Sequence, residues 1–371
     1  MLEKTKGFRD MVKNIDFILI FLTIVTAVFG IVMISSAGGE NSLRLVIVQS
    51  AALVVGIVGI VIISILDYDY LARLSKYIFG ACVVLLILVL IPGLGKVQNG
   101  ARSWFNLGPI SFQPAELVKI GFVITFSKHL SVVGSGLNQP KELWKVLLHP
   151  FILCVLMLLQ PDFGTAVVFI MMTVAMLFMA RLNWKYFAGG FAAVVAVCPI
   201  AWFFLLKQYQ KDRIINLFNP ENDPSGSGYH VIQSKIAVGS GKLTGMGLYN
   251  GSSIYNNLLP ERHTDFIYAV VCEELGMIGG IAVIILLSAI IIRCLYIGIN
   301  ARNSEGLYIC TGVAAMLTFQ AFENIGMCIG LFPVTGITLP FFSYGGSSLV
   351  TTMLAIGLVL NVRYRYKKIN F

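Results

Sequence analysis

Charge is scarce in this chain. Of its 371 residues only 12% are Asp, Glu, Lys or Arg, about half the share of a soluble domain. An ordinary water-soluble enzyme is therefore excluded. Metal-site patterns are missing too. The four histidines are scattered, with no HExxH. The seven cysteines, Cys82, Cys154, Cys198, Cys272, Cys294, Cys310 and Cys328, all lie in apolar segments and form no CxxC pair. They read as small packing residues, not as disulfides or metal ligands.

What is present is hydrocarbon. Hydrophobic residues make up 57% of the chain, in recurring runs of about 20, each long enough to cross a bilayer. The expected fold is an all-α polytopic membrane protein, one domain over 1–371, with about ten transmembrane helices. The spans are placed at 15–35, 45–66, 75–92, 113–131, 145–160, 163–181, 186–206, 266–297, 306–331 and 344–362. A net charge of +9 suggests nucleic acid at first sight. The basic residues cluster beside hydrophobic spans, however, and topology explains them better. Lys and Arg in the short loops favour the side of Lys4, Lys6, Arg9 and Lys13, which places both termini in the cytoplasm. The first apolar run is long for a signal peptide and reads as a retained span.

The long polar segment 207–264 is expected outside. Its glycines and prolines, as in Asn219-Pro220 and Gly245-Met246-Gly247, mark turns and close backbone approaches. Tyr229, Val231, Ile232 and Ile236 argue against a floppy connector. An ordered extracytoplasmic loop is expected, with a short helix near 229–238.

Where this segment ends, Pro260-Glu261-Arg262-His263-Thr264-Asp265-Phe266 puts a carboxylate, an imidazole and a guanidinium at the start of an apolar helix. Two readings of Asp265 stand: a helix cap shared with Thr264, or an acid–base group tuned by apolar surroundings. Ionisable residues inside spans are costly and usually functional. Glu116 and Lys119 are three apart and share a helix face. They either neutralise each other or line a polar cavity. Asp162 starts the sixth span on the side of Asp265. Glu273, Glu274 and Glu323 lie deeper. Gly345-Gly346-Ser347-Ser348 either packs a helix closely or presents amides to an anion.

Six ordered stretches resemble the SEDS family (shape, elongation, division and sporulation). They are Gly100-Ala101-Arg102-Ser103-Trp104-Phe105, Phe112-Gln113-Pro114-Ala115-Glu116, Gln160-Pro161-Asp162-Phe163-Gly164-Thr165, Gly228-Tyr229-His230 through Gln233-Ser234, Pro260 to Phe266, and Leu339 to Ser347. The resemblance implies a peptidoglycan glycosyltransferase that polymerises lipid II at the outer face of the bacterial inner membrane. It implies a class B penicillin-binding protein as transpeptidase partner, and membrane lipids but no nucleic acid around the chain. It maps the family's essential aspartate onto Asp265. Arg262 and the basic tail Asn361-Val362-Arg363-Tyr364-Arg365-Tyr366 resemble the rod-elongation branch. Tyr268 stands where Phe is usual, and Lys242 where another Gly is usual.

On this reading Asp265 is the catalytic base, and Glu116, Lys119, Asp162, Arg102, Arg213 and His263 bind substrate. A departing diphosphate needs cationic charge, from Arg102, Lys119, Arg213 or a divalent ion such as Mg or Mn; no fixed cofactor or metal site is implied. Two rivals from other classes are a lipid II flippase, whose path Glu116, Lys119 and Asp162 would line, and a scaffold for a transpeptidase. A division- or sporulation-type paralogue is the alternative within the family.

Overall fold

The computed structural model describes residues 16–98, 101–107, 110–206, 208–223, 226–252 and 258–365. The basic N-terminal residues, Gly100 and the tail from Tyr366 lie outside them. In chain order the described elements are α1 (Phe17–Ala37), α2 (Ser42–Ile65), α3 (Tyr68–Arg73), α4 (Ser75–Leu90), β1 (Gly95–Gln98), β2 (Ala101–Leu107), β3 (Ile110–Phe112), α5 (Pro114–Val133), α6 (Pro140–Leu159), α7 (Phe163–Met179), α8 (Trp184–Ile200), α9 (Gln208–Phe218), α10 (Ser227–Ser240), α11 (Ile267–Ile299), α12 (Ser304–Cys328) and α13 (Gly346–Tyr364).

Every expected span coincides with a helix. Among the described residues seven helices are long and apolar enough to cross a membrane, and α4 and α7 are apolar but shorter. Helix α12 has 25 residues and buries Gln320, Glu323 and Asn324 along its length. The all-α polytopic membrane fold holds, with one addition. The segment expected as loop between α4 and α5 carries a three-stranded antiparallel sheet, ordered β1-β2-β3.

Side-chain ties define two ends of the bundle. At one end Asp16 caps α1, accepting from Leu19 N at 3.0 Å, and pairs with Arg293 of α11 at 2.7 Å. Tyr68 donates to Asn303, Lys128 pairs with Glu305, and Arg365 pairs with Asp67. The first and last described residues thus share this end. At the other end stand the sheet, α9, α10 and the residues of most interest. There Ser36 of α1 donates to Glu274 of α11, and Gln113 donates to Asp162. We call this the cap end.

Small residues let the helices approach. A Cβ at Gly56 of α2 would meet Met353 of α13 at 2.7 Å, and one at Gly357 would meet Ile60 at 3.1 Å. Such close contacts drive helix association where lipid competes for apolar surface. Proline starts α5 and α6, where its missing N–H is no loss. The expected helix near 229–238 is α10, held by Ser234 Oγ donating to Cys328 O at 2.8 Å.

Helix α11 is broken near its cap end. Gly276 has φ 67° and ψ −164°, a backbone that L side chains rarely adopt. The chain at 242–247 fills the break. Met246 N donates to Glu273 O at 3.0 Å and Gly247 N to Glu274 O at 2.9 Å. In return Met277 N donates to Lys242 O at 2.8 Å. Backbone groups that a broken helix would leave unpaired in a buried site are satisfied by the polar segment.

Candidate functional site

Asp265 lies two residues ahead of α11. Its N–H, like that of Thr264, donates to Glu261 O. Glu261 itself turns the chain with φ 50°. The helix cap is Phe266 and makes no side-chain cap bond. Thr264 Oγ1 bonds to Glu261 instead, at 3.1 Å. The capping reading of Thr264 and Asp265 is therefore not what the structure shows.

The loop is held by its carbonyls. Tyr344 N donates to His263 O at 2.8 Å. Ser343 Oγ donates to Thr264 O at 2.6 Å. Asn324 Nδ2 donates to Asp265 O at 2.7 Å. Three consecutive carbonyls are thus taken by groups outside the loop. The Asp265 side chain is half-buried, with Gly336 close to its carboxylate. Burial, reinforced by the Glu261 charge, pushes its pKa up to about 7, and Thr264 and the Arg213 charge on α9 pull it back. A carboxyl poised near neutrality can take a proton from a hydroxyl and release it again.

A second polar cluster lies in the bundle beside it. Lys119 Nζ meets Glu116 Oε1 at 2.8 Å, both side chains buried. The other Glu116 oxygen has no partner among the described residues. Asp162 caps α7, accepting from Thr165 N at 3.2 Å and from Gln113 Nε2 at 3.0 Å. The charges of Lys119 and Glu116 act on it. Glu323 of α12 lies within electrostatic reach of Asp162 and Lys119. Adjacent residues of α12 therefore serve both clusters, Glu323 the acids and Asn324 the loop of Asp265. Gly164, after Asp162, packs on Thr335 and Ile337, the neighbours of Gly336. The stretches around 113–119, 160–165, 260–266 and 335–345 meet at one place.

The remaining expected residues divide. His263 sits beside Tyr344 with the rings tilted by 56° and their centroids 5.5 Å apart, and burial lowers its pKa. It lines a cavity of about 490 Å³ with Arg44, Arg262, Asn41 and the end of α1. Arg262 Nε donates to Ala37 O at 2.7 Å, closing that helix end. Arg102 sits on β2 and donates to Leu90 O, at the end of α4. Among the described residues no contact links it to Asp265. The Gly345 amide donates to Gln49 Oε1 at 3.1 Å, so that amide is already engaged within the protein. Among the described residues no group of three His, Cys, Asp or Glu is placed to hold a metal ion, and all seven cysteines are free.

A family model covering FtsW, RodA and SpoVE, described as "Cell cycle protein", matches residues 15–368. The chain belongs to the SEDS family. It is 34% identical over 367 residues to the peptidoglycan glycosyltransferase MrdB of Escherichia coli, covering 98% of this chain and 97% of the relative. It is 36% identical over 361 residues to stage V sporulation protein E of Bacillus subtilis, covering 95% and 98%. Among solved structures it resembles a chain from a study of polymerisation and crosslinking by a peptidoglycan synthase complex, with TM-score 0.81 and 34% identity over 95% of this chain and 99% of that one. The rod shape determining protein RodA of Thermus thermophilus superposes with TM-score 0.70 at 29% identity, covering 95% and 98%.

Three residues of this SEDS site stand out in the sequence as polar groups or motif members, but their partners do not. Gln113 hydrogen-bonds Asp162 although 49 positions separate them. Asn324 and Ser343 reach the Asp265 loop across 59 and 79 positions. Each is an uncharged side chain, and only its distant partner reveals its use. A buried Asn or Gln in a span is the one signal available, since it must find hydrogen bonds there.

Proposed function

We propose that this chain is a peptidoglycan glycosyltransferase that polymerises lipid II at the outer face of the bacterial inner membrane. The observation that carries the reading is Asp265: a carboxyl poised near neutral pH, at the membrane boundary, in a loop held on three sides. Its relatives include named peptidoglycan glycosyltransferases, which supports the same reaction here. The cap end then faces outward, both termini are cytoplasmic, and the chain is one domain with 207–264 as its extracytoplasmic loop.

The sugars of two polyprenyl-linked substrates lie over the cap end while their lipid tails stay in the bilayer. Asp265 takes the proton of the acceptor 4-hydroxyl. That oxygen bonds to the donor anomeric carbon as the carbon–oxygen bond to the diphosphate breaks. Configuration inverts, and no covalent enzyme intermediate is needed. The lipid diphosphate leaves with the electron pair. Arg213, whose charge reaches Asp265, and Lys119, from the buried pair, supply cationic stabilisation; Arg102 would act from the sheet. Glu116 holds Lys119 in a buried ion pair, Asp162 stands beside that pair, and His263 lines the entrance.

A class B penicillin-binding protein is the proposed partner, docking on the lipid-facing side of α11 and α12. A structural neighbour comes from a synthase complex that couples polymerisation to crosslinking, in keeping with such a partner. Arg262 supports an elongation role.

Vesicles containing the protein and lipid II separate enzyme from flippase. The proposal expects long glycan chains and release of lipid diphosphate. Translocation of intact lipid II without polymer would overturn it.

A further inference from the structure

Asn324 is fully buried on α12, 59 positions from Asp265. Its amide has two N–H hydrogens and two carbonyls to meet them: Asp265 O at 2.7 Å and Ile337 O at 2.7 Å. The reverse orientation of the amide would set oxygen against oxygen, so the donor assignment follows from the surroundings. The two carbonyls belong to the loop of Asp265 and to the segment 335–337 that lies against its carboxylate. One side chain therefore fixes both the residue and the wall it faces. Ser343 repeats the arrangement one residue back. It donates to Thr264 O at 2.6 Å while accepting from Leu339 N at 2.7 Å.

Helix propagation does not hold this loop, because α11 begins only at Ile267. Glu261 O collects the amides of Thr264, Asp265 and Phe266. The carbonyls of His263, Thr264 and Asp265 are met from outside the loop by Tyr344 N, Ser343 Oγ and Asn324 Nδ2, with Cys328 Sγ also 3.7 Å from Asp265 O. We propose that Asn324, assisted by Ser343, is a positioning residue for Asp265, fixing its carboxylate relative to the two sugars. The inference rests on the reading of Asp265 as the base.

The molecule supplies its own control. Asn361, also fully buried, donates from Nδ2 to two carbonyls, Ile63 O and Leu66 O, at the opposite end of the bundle. Removing either amide takes a side-chain donor from two carbonyls, so both losses should lower stability. Only the loss of Asn324 should reach the chemistry.

The experiment compares Asn324→Leu and Asn361→Leu in the purified full-length protein, with lipid II as substrate. Leucine keeps the volume and removes the donors. Both variants should melt earlier. Asn324→Leu should lose about 100-fold in turnover, as expected for a displacement near 1 Å, with KM within about twofold of wild type. Asn361→Leu should keep its turnover. The pH limb that reports Asp265 should also move to lower pH in Asn324→Leu, because a loosened loop admits water to the carboxyl. The charges facing that carboxyl, Glu261 and Arg213, stay in place in both variants.

Equal turnover in the two variants, with an unmoved pH limb, would overturn the inference. Should Asn324→Leu not fold, Ser343→Ala decides the matter: reduced turnover with a shifted limb supports the inference, and wild-type values overturn it. Wild-type protein that makes no glycan would sink the functional reading first, before any variant is compared.

Discussion

Gly245 and Gly276 meet backbone to backbone. A Cβ on Gly245 would lie 2.1 Å from Glu274 O, and one on Gly276 would lie 2.4 Å from Gly245 N. Both residues have positive φ, 80° and 67°. The contact docks the polar segment into the break of α11 at Gly276, about three turns beyond Asp265. It joins the cap to the helix that follows the candidate base.

Alanine at either glycine should therefore undock the segment. Overpacking alone costs about 1–3 kcal/mol, and the left-handed backbone adds about 1–2 kcal/mol. Gly245→Ala and Gly276→Ala should each lower the melting temperature and open 241–252 to protease. Gly239→Ala is the control, since nothing lies within 4 Å of its added Cβ. Wild-type protease resistance in both variants would contradict the docking.

Lys242 is the mirror case. It holds φ 49° beside this junction, and its side chain is exposed. A left-handed lysine costs about 1–2 kcal/mol, while glycine loses about 0.5–1 kcal/mol of chain entropy on folding. Lys242→Gly should raise stability slightly, by less than about 1 kcal/mol, in thermal melts. A clear loss would mean that the lysine side chain makes a contact of its own.

The ten spans were legible because each is a long apolar run. Asp265, Glu116, Lys119 and Asp162 were legible because ionisable groups at a membrane boundary stand out. The sheet was not. Its strands are short, although Asn99-Gly100 between Val97 and Arg102 is a hairpin signal. The break at Gly276 was hidden because its repair comes from Lys242 to Gly247, some thirty positions away. Arg102 was legible as a charge, but its place on β2 and its bond to Leu90 O at the end of α4 were not.

Asp265 should make stability depend on pH. Its folded pKa is raised from 3.8 to about 7. The folded state then holds a proton that the unfolded chain releases. Its contribution is complete below about pH 4 and is lost as pH rises through about 7. The upper bound is about 4 kcal/mol. Asp265→Asn, neutral at every pH, should match wild type at pH 4 and melt higher at pH 8. Identical melting at both pH values would show that the carboxyl is not perturbed.

Glu116 and Lys119 should be coupled. Removing one partner leaves a buried charge unpaired, at roughly 3–5 kcal/mol. Glu116→Gln and Lys119→Met should each destabilise the protein, and the double variant should recover much of the stability. Polymerisation should stay low in the double variant, because Lys119 also serves the diphosphate. Recovery of both stability and activity would assign the pair to structure alone.

The central claim is that Asp265 is the base in glycan polymerisation. Its most direct test is the rate at which purified Asp265→Asn protein polymerises purified lipid II, measured beside wild type from pH 5 to 9. The account predicts a wild-type rate that rises with pH through about 7. It predicts no polymer above background from a folded Asp265→Asn protein at any pH. A folded Asp265→Asn protein that polymerises at a near wild-type rate would contradict it.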